Sequence, residues 1–407
     1  MARDLAESTE EAAGLSGARL DAVHERLTRL VDAGELAGAA WLVARHGRIA
    51  RRGVIGRKDL ASGEPVALDT IFRIYSMTKP VTGVAMMTLW DQGLWSPDDP
   101  IEKHLPELSG LKVFAGLGGD GEILTEPAER PATMRELMTH TAGFSYGFSE
   151  EPYDKAAQEI GLWQAKGLDE FVGRLARLPL AYQPGTKWLY SLSMDVQGAI
   201  VERLTGQSLA EVYQERLFGP LGMVDTGFFV PEAKRARLAT LYRSSESRGL
   251  VPLERPPFLG DNLSPPTLAS GGGGLVSTLD DYARFAQMLL NRGELGGVRV
   301  VSEDAVRLMS ANHLPDWMLT EGFGVGAQQI RPGFGHGFDC AVFVDPDAAG
   351  IPVGKGSFQW DGAAGTWFWV DPENDLIFVG MIQRMSALPD QANCQQLTQK
   401  LMAKAML

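Results

Sequence analysis

The sequence predicts an α/β (α+β) protein in which an antiparallel sheet flanked by helices carries an inserted, mainly helical domain. Strand patterns near both termini, a mainly helical middle and a length of 407 residues support this class. At roughly 100 to 200 residues per domain, such a chain fits two or three lobes. We expect residues 1–86 and 178–407 to form a discontinuous α/β domain around a small helical domain at 87–177.

The N-terminal elements are a helix, a hairpin and a second helix. Residues 18–34 place leucines and valines at helical spacing between Arg and Glu, which predicts an amphipathic helix. Two apolar runs then flank His46-Gly47, a pair that suits the turn of a β-hairpin. Residues 81–92 are apolar on nearly every face and end before Gly93, so we expect a buried helix there.

The middle and C-terminal elements follow from caps and turns. Thr133 and Thr278 each stand three residues before an acid, a spacing typical of capping boxes. Residues 244–274 are rich in Pro, Gly and Ser, which predicts a long surface connection bordering a site. Strand-like runs at 366–370 and 376–383 flank turn-forming residues, which indicates a second hairpin before a last helix.

Composition and charge exclude several classes of function. There are 38 Lys and Arg against 51 Asp and Glu, a net charge of −13 without a basic run, so nucleic acid and anionic membranes are not expected partners. Two cysteines, Cys340 and Cys394, are too few for a disulfide framework, and the histidines lack zinc-site spacing. We expect no metal or other cofactor, and a small molecule as the partner; the oligomeric state stays open.

The first residues carry acids where a signal peptide needs a basic segment followed by an apolar one. No window approaches 18 uninterrupted apolar residues, so no membrane-spanning helix is predicted. From these two observations we expect a cytoplasmic protein.

Ser76 and Lys79 form an S-x-x-K pattern that could carry chemistry. Positions i and i+3 share one face of a helix, so the ammonium can reach the hydroxyl. A serine needs a base to act as a nucleophile, and a lysine partly removed from water has a lowered pKa. The plainer alternative is an N-cap serine beside a solvated lysine. The apolar residues after Lys79 argue against solvation and favour a catalytic pair.

Further motifs follow in order along the chain. PGTKWLYS contains Tyr190, WDGAAGTWFWVDP begins at Trp360, and SMTKP, LMTHTAGF, LFGPLGM and ASGGGGLVSTLDDYARF accompany them. In these motifs the chain resembles the serine hydrolases built like class C β-lactamases and penicillin-binding proteins, and most closely the family VIII carboxylesterases. The resemblance covers about residues 70 to 383. It implies a β-lactamase-like fold with the active site between the two domains.

The resemblance also implies residue roles in a serine acyl-enzyme mechanism. Ser76 would attack the ester carbonyl, with Tyr190 as general base and Lys79 sharing protons with both. The oxyanion would lie between the backbone N–H groups of Ser76 and Ala363, a role that needs no particular side chain. Water would then release the acyl group with the help of the same pair.

The expected substrate is a short- to medium-chain neutral carboxylic ester. Trp360-Asp361-Gly362 stands where β-lactamases carry K-T-G, and an indole in place of a cation disfavours anionic β-lactams. Family VIII esterases read W-G-G or H-G-G, so Asp361 is a departure, and its carboxylate would weaken this inference if it faced the pocket. Tyr146 and Phe148 are further candidates for substrate binding, although such residues more often serve ordinary packing.

Several alternatives remain open. The acyl-enzyme could pass its acyl group to an alcohol or amine, as in an acyltransferase of the same fold. A weak β-lactamase or peptidase is disfavoured by Trp360, and a scaffold role is disfavoured by the joint presence of a serine, a lysine and a tyrosine in the three motifs. GFSYG around Ser145 matches the nucleophile elbow G-x-S-x-G, but it lacks the preceding strand and following helix, so we expect a loop residue.

Overall fold

The computed structural model describes residues 5–253, 260–321, 323–325, 328–330 and 332–407. The strands are β1 (Ala6–Glu7), β2 (Gly38–Arg45), β3 (Arg48–Gly56), β4 (Phe72–Arg73), β5 (Lys112–Leu117), β6 (Ile123–Pro127), β7 (Tyr242–Ser245), β8 (Gly249–Pro252), β9 (Val276–Ser277), β10 (Glu294–Leu295), β11 (Val298–Arg299), β12 (Phe323–Val325), β13 (Gln328–Ile330), β14 (Phe334–His336), β15 (Ala341–Phe343), β16 (Phe358–Asp361), β17 (Trp367–Asp371), β18 (Leu376–Met381) and β19 (Arg384–Met385).

The α-helices are α1 (Gly17–Asp32), α2 (Thr78–Trp90), α3 (Met134–Met138), α4 (Pro152–Glu159), α5 (Leu168–Leu175), α6 (Ser193–Thr205), α7 (Leu209–Tyr213), α8 (Gly219–Leu221), α9 (Leu279–Leu290), α10 (Glu303–Met309), α11 (Asp316–Glu321), α12 (Pro346–Ala349) and α13 (Cys394–Ala405). Short 3₁₀ turns lie at Tyr75–Met77, Ile101–Lys103, Pro106–Leu108, Leu162–Gln164 and Glu232–Arg237, and a π turn at Gln214–Phe218. Within these described residues, no helix is long and apolar enough to cross a membrane.

Among the described residues, eight strands form the central sheet in the order β1-β3-β2-β18-β17-β16-β15-β14. Neighbouring strands are antiparallel except β1 and β3, which are parallel. The N-terminal hairpin joins the C-terminal one through β2 and β18, where Trp41 lies opposite Gly380 and Leu42 opposite Val379. This pairing confirms the prediction that segments from both ends of the chain build one sheet.

Helices cover both faces of the sheet, which explains why its central strands are almost wholly apolar. Alternate residues of a strand point to opposite faces. Trp41 packs in a core cluster with Leu20 of α1 and Met402 of α13. Its neighbour Leu42 belongs to the other cluster, which includes Tyr282 of α9. The two predicted hairpins and both terminal helices are therefore confirmed.

The larger core cluster continues from the sheet into the helical part of the molecule. Every residue of α2 from Thr78 to Leu89 is buried, which confirms the predicted buried helix. It begins at Thr78, directly after the 3₁₀ turn Tyr75–Met77. Residues 87–177 contain α3, α4 and α5 but also the β5–β6 hairpin, which the sequence did not indicate. The domain limits stay a prediction.

Two local expectations have mixed outcomes. Thr133 forms the predicted capping box with Glu136, and the Thr278 side chain accepts the Asp281 N–H at the start of α9. The predicted surface connection at 244–274 is wrong in part, because it holds the end of β7 and all of β8. Its residues 254–259 lie outside the described residues. Its last part, Gly271–Gly274, is buried beside the site described next.

Candidate active site

Ser76 lies in a tight turn at the start of a buried helix. The 3₁₀ turn Tyr75–Met77 runs straight into α2, and Tyr75 adopts a φ of +41°, which is strained for a residue with a bulky side chain. The Met77 N–H donates to the Ile74 carbonyl oxygen at 3.0 Å and closes the turn. The side chain of Ser76 is half-buried. The Ser76 hydroxyl therefore lies at the N-terminal end of the buried helix α2.

Lys79 follows one turn later, and its ammonium group is surrounded by acceptors. Nζ donates to Ser76 Oγ at 3.1 Å, to Tyr146 Oη at 3.2 Å and to the Gly272 carbonyl oxygen at 2.6 Å. An ammonium has three N–H donors, so these contacts use all of them. The side chain is fully buried. Lys79 is therefore held in one orientation beside the serine.

Burial lowers the pKa of Lys79 to about 7, although the carboxylates of Asp195, Asp339 and Asp361 act to raise it. A buried ammonium loses hydration, which favours the neutral amine. At neutral pH, Lys79 is consequently divided between ammonium and amine. The amine form can accept a proton from Ser76.

Asp195 and Asp339 are buried acids behind Lys79. Asp195 Oδ1 accepts Ser270 Oγ at 2.5 Å and the Gly272 N–H at 3.2 Å, which fixes the glycine that Lys79 also contacts. Asp339 Oδ1 accepts Gln197 Nε2 at 2.9 Å. Burial raises the pKa of both carboxyl groups. The sequence analysis missed both acids, although a lone Asp in the apolar stretch SLSMDVQG is a usable signal.

Tyr190 completes a three-residue cluster around the serine oxygen. Its Oη donates to Ser76 Oγ at 2.8 Å, and Lys79 Nζ lies 4.7 Å from the centroid of its ring. Loss of hydration raises the pKa of the Tyr190 phenol far above its usual range. At neutral pH Tyr190 is therefore a phenol. The structure brings together the three residues that the motifs singled out.

The loop after β16 faces the serine from the other side. A Cβ at Gly362 would lie 2.2 Å from the Ile74 carbonyl oxygen and 2.4 Å from Thr366 Oγ1, so only glycine permits this approach to the Ser76 turn. The Gly362 N–H donates to the Thr366 carbonyl oxygen at 2.8 Å. Ala363 follows at the tip of the loop and is exposed.

A cavity of about 440 Å³ opens between the serine and this loop, and Ser76, Tyr190, Asp361, Gly362 and Ala363 line it. Reduced hydration raises the pKa of Asp361 to about 6, while Lys79 acts to lower it. The carboxylate thus borders the substrate space, and it is mostly ionised at pH 7. This is the arrangement under which the sequence-based inference of neutral esters weakens, because an anionic group here repels anions but tolerates cations, and the preference for uncharged esters stays a prediction.

The remaining candidates lie at different distances from the serine. Tyr146 contacts Lys79 through Oη and stacks on Phe148, with ring centroids 4.9 Å apart. Phe148 is exposed one ring farther out. The half-buried Trp360 packs its indole 5.9 Å from the Tyr190 ring centroid, outside the cavity lining described above. Roles in substrate binding for Phe148 and Trp360 stay predictions.

Ser145 does not lie in a nucleophile elbow. It follows the short helix α3 through a loop, and the next helix begins only at Pro152. Its carbonyl oxygen accepts the Leu192 N–H at 3.2 Å, which ties this loop to the segment after Tyr190. The expectation of a loop residue near the cleft is therefore confirmed.

Comparison with known proteins assigns the chain to a family. A family model described as Beta-lactamase matches residues 23–401. Protein Rv1367c of Mycobacterium tuberculosis is 40% identical over 369 residues, covering 89% of this chain and 90% of that protein. Esterase EstB of Burkholderia gladioli is 34% identical over 378 residues, covering 89% and 88%. The solved structure of EstCE1, described as a hydrolase with promiscuous acyltransferase activity, superposes with a TM-score of 0.77 at 26% identity, covering 97% of this chain and 98% of that one. The chain therefore belongs to the β-lactamase family and is similar to its esterases.

Proposed function

We propose that the protein is a serine carboxylesterase that hydrolyses short- to medium-chain carboxylic esters through an acyl-enzyme on Ser76. One observation carries this proposal: Ser76 Oγ lies 3.1 Å from Lys79 Nζ and 2.8 Å from Tyr190 Oη at the edge of a cavity. Nucleophilic catalysis by serine requires a base within hydrogen-bonding reach, and both groups meet that condition.

In the acylation step, the Lys79 amine takes the proton of Ser76, and Oγ forms a bond to the ester carbonyl carbon. The carbonyl electron pair moves to oxygen, where the backbone N–H groups of Ser76 and Ala363 stabilise the oxyanion. Lys79 is the better acceptor, because its pKa is about 7 while that of the Tyr190 phenol is raised. Tyr190 therefore acts together with Lys79 and relays protons as a donor and acceptor.

Acylation is completed when the tetrahedral intermediate collapses and the bond between the acyl carbon and the leaving alkoxide breaks. Tyr190 gives its proton to the alkoxide and recovers one from the Lys79 ammonium, which releases a neutral alcohol. Water then attacks the acyl carbon and gives a proton to the Lys79 amine, and the new tetrahedral intermediate collapses by breaking the bond between that carbon and Ser76 Oγ, which takes the proton back through Tyr190 and Lys79. The carboxylic acid leaves, and Ser76 regains its proton.

The lining of the cavity supports esters without a negative charge. Asp361 is exposed and borders the space beside Ser76, so a substrate carboxylate would meet a like charge at the mouth of the cavity. A neutral alcohol portion meets no such repulsion, whereas a cationic one would also face the Arg384 guanidinium, which lines the same cavity. Anionic β-lactams are expected to turn over poorly, which nitrocefin hydrolysis checks cheaply.

Acyl transfer is the second candidate function, and the similarity to EstCE1, a hydrolase with promiscuous acyltransferase activity, favours it. The same acyl-enzyme would react with an alcohol or amine in place of water. Supplying candidate alcohols together with an ester and measuring the ratio of transfer product to free acid separates the two.

The test of the proposal uses two serines of the same chain. Ser76→Ala is expected to abolish hydrolysis of p-nitrophenyl butyrate, whereas the matched control Ser145→Ala retains most of it. Unchanged thermal unfolding of both variants shows that the fold is intact. Full activity of Ser76→Ala, or loss of activity only in Ser145→Ala, would contradict the assignment.

A further inference from the structure

His140 is a buried histidine that touches the Tyr190 segment on three sides. We infer that His140 is a positioning residue that holds Tyr190 against Ser76. This inference rests on the proposed function, since Tyr190 is the group whose place matters for proton relay. His140 stands in the motif LMTHTAGF, where no role had been assigned to it.

The backbone and the side chain of His140 contact Tyr190 and the residues on either side of it. The Leu189 N–H donates to the His140 carbonyl oxygen at 2.8 Å, and the Ser191 N–H donates to His140 Nδ1 at 3.2 Å. The His140 ring lies 4.9 Å from the Tyr190 ring, measured between centroids. The residues before and after Tyr190 and its own ring are therefore all in contact with one side chain and its peptide.

Tyr190 needs such contacts because no helix or strand includes it. The described segment 187–191 has no regular secondary structure, and α6 begins only at Ser193. Without a ladder of backbone hydrogen bonds, the position of the segment depends on its neighbours. Ser191 Oγ lies 2.9 Å from His140 Nδ1 and 2.7 Å from Ser193 Oγ, so the contact continues into the first turn of α6.

A histidine suits this place for two reasons. His140 has a φ of +60°, in a region where Asn, Asp and His are enriched among side-chain-bearing residues. Because Nδ1 accepts the Ser191 N–H, the ring proton lies on Nε2, and the ring must stay neutral for the contact to persist. Burial lowers the pKa of His140 well below its usual value, which keeps the acceptor available at neutral pH.

His336 packs its ring against that of His140 and carries its proton on the other ring nitrogen. Its Nδ1 donates to the Gly337 carbonyl oxygen at 2.6 Å, which leaves a lone pair on Nε2. The two rings lie 5.5 Å apart at a steep angle, and neither Nε2 has a hydrogen-bond partner among the described residues. His140 therefore has an unpaired N–H at Nε2, and His336 has an unpaired lone pair at Nε2. His336 lies in β14, not in the turn that its glycine-rich surroundings suggest.

Three substitutions separate positioning from simple packing. His140→Asn keeps an acceptor close to the position of Nδ1 and tolerates a positive φ. His140→Gln places its amide farther out, where it cannot meet the Ser191 N–H. His140→Leu fills the volume without any acceptor. The expected order of kcat is therefore wild type and Asn, then Gln and Leu.

The measurement is kcat and KM for p-nitrophenyl butyrate, normalised to the fraction of Ser76 that reacts with a fluorophosphonate. We expect His140→Asn to stay within about threefold of wild type, and Gln and Leu to lose roughly 10- to 100-fold in kcat with KM changed less than about threefold. Equal losses in Asn and Leu, or wild-type kcat in Leu, would overturn the inference.

A spectroscopic readout keeps the test independent of activity. Fluorotyrosine placed at position 190 reports the surroundings of that ring by ¹⁹F NMR. The signal is expected to shift in both variants, because each loses the imidazole ring 4.9 Å away, but to stay a single sharp line in His140→Asn and to broaden or split in His140→Leu, whereas a single sharp line in Leu would overturn the inference. Failure of the proposed function shows itself differently, as absent turnover and absent labelling of the wild-type protein.

Discussion

The pKa of Lys79 predicts the shape of the pH profile. If the Lys79 amine accepts the proton of Ser76, kcat/KM follows the deprotonated fraction of a group with a pKa of about 7. That fraction is about one tenth at pH 6, one half at pH 7 and nine tenths at pH 8. We therefore expect kcat/KM to rise roughly tenfold between pH 6 and pH 8 and then to level off.

Burial is the main reason why the pKa of Lys79 is so far below that of an exposed lysine. An exposed lysine with the usual pKa of 10.5 would be deprotonated in only about one molecule in 3,000 at pH 7. Lowering the pKa to about 7 corresponds to roughly 5 kcal/mol of preference for the amine over the ammonium. Without this shift, the rising limb would lie above pH 9.

Replacing an acid near Lys79 should move the rising part of the kcat/KM profile to lower pH. Asp195→Asn removes a carboxylate that raises the pKa of Lys79, and the amide oxygen can still accept from Ser270 and the Gly272 N–H. The pKa of Lys79 falls further, so the limb should shift to lower pH. Asp361→Asn at the cavity mouth removes a second carboxylate that raises the pKa of Lys79, so it should shift the rising limb in the same direction.

Initial rates with p-nitrophenyl butyrate from pH 5 to pH 9 at constant ionic strength, corrected for spontaneous hydrolysis, measure this profile. Lys79→Met supplies the background without the amine. A profile that is flat between pH 6 and pH 8, or one that rises only above pH 9, would refute the reasoning about Lys79.

Three further predictions follow from the same geometry. Tyr190→Phe should lose roughly 10²- to 10⁴-fold in kcat with the fold unchanged, and retention of half the activity would exclude the tyrosine relay. Gly362→Ala should lose more than about 100-fold in kcat/KM, because its Cβ would meet the Ile74 carbonyl oxygen at 2.2 Å; near-normal kinetics would contradict the fit of this loop. Burial lowers the pKa of His336 to about 4, so between pH 6.5 and pH 4 the unfolded chain takes up a proton that the folded chain does not. The stabilisation from the neutral ring is therefore complete above pH 6.5, and the free energy of unfolding falls by roughly 3 kcal/mol as the pH drops to 4. Urea unfolding of wild type and His336→Gln at pH 7 and pH 4.5 checks this, and equal losses in both would contradict it.

Local patterns in the sequence were sufficient for much of the fold. The hairpin around His46-Gly47 has both turn residues at positive φ, 54° and 69°, as a tight turn between twisted strands requires. The all-apolar run from 81 onward could only be a buried element. The β5–β6 and β7–β8 hairpins were missed, because their strands are short and partly exposed and their sequences lack a clear alternation of apolar and polar residues.

The site could be predicted only as far as the motifs extended. Ser76 and Lys79 lie one helical turn apart, and the apolar residues after Lys79 indicate burial, so their contact could be predicted from the local sequence. Asp195, Asp339 and His140 reach the site through long-range packing of separate segments, and no spacing relates them. The raised pKa of Tyr190, which moves the base role toward Lys79, depends on burial and was not visible in the sequence.

The central claim is that Ser76 forms the acyl-enzyme. Treatment of the full chain with a fluorophosphonate, followed by digestion and mass spectrometry, identifies the modified residue directly. We expect a single adduct on Ser76, present in the Ser145→Ala variant and absent from Ser76→Ala. An adduct on Ser145, or an unmodified wild-type chain, would contradict it.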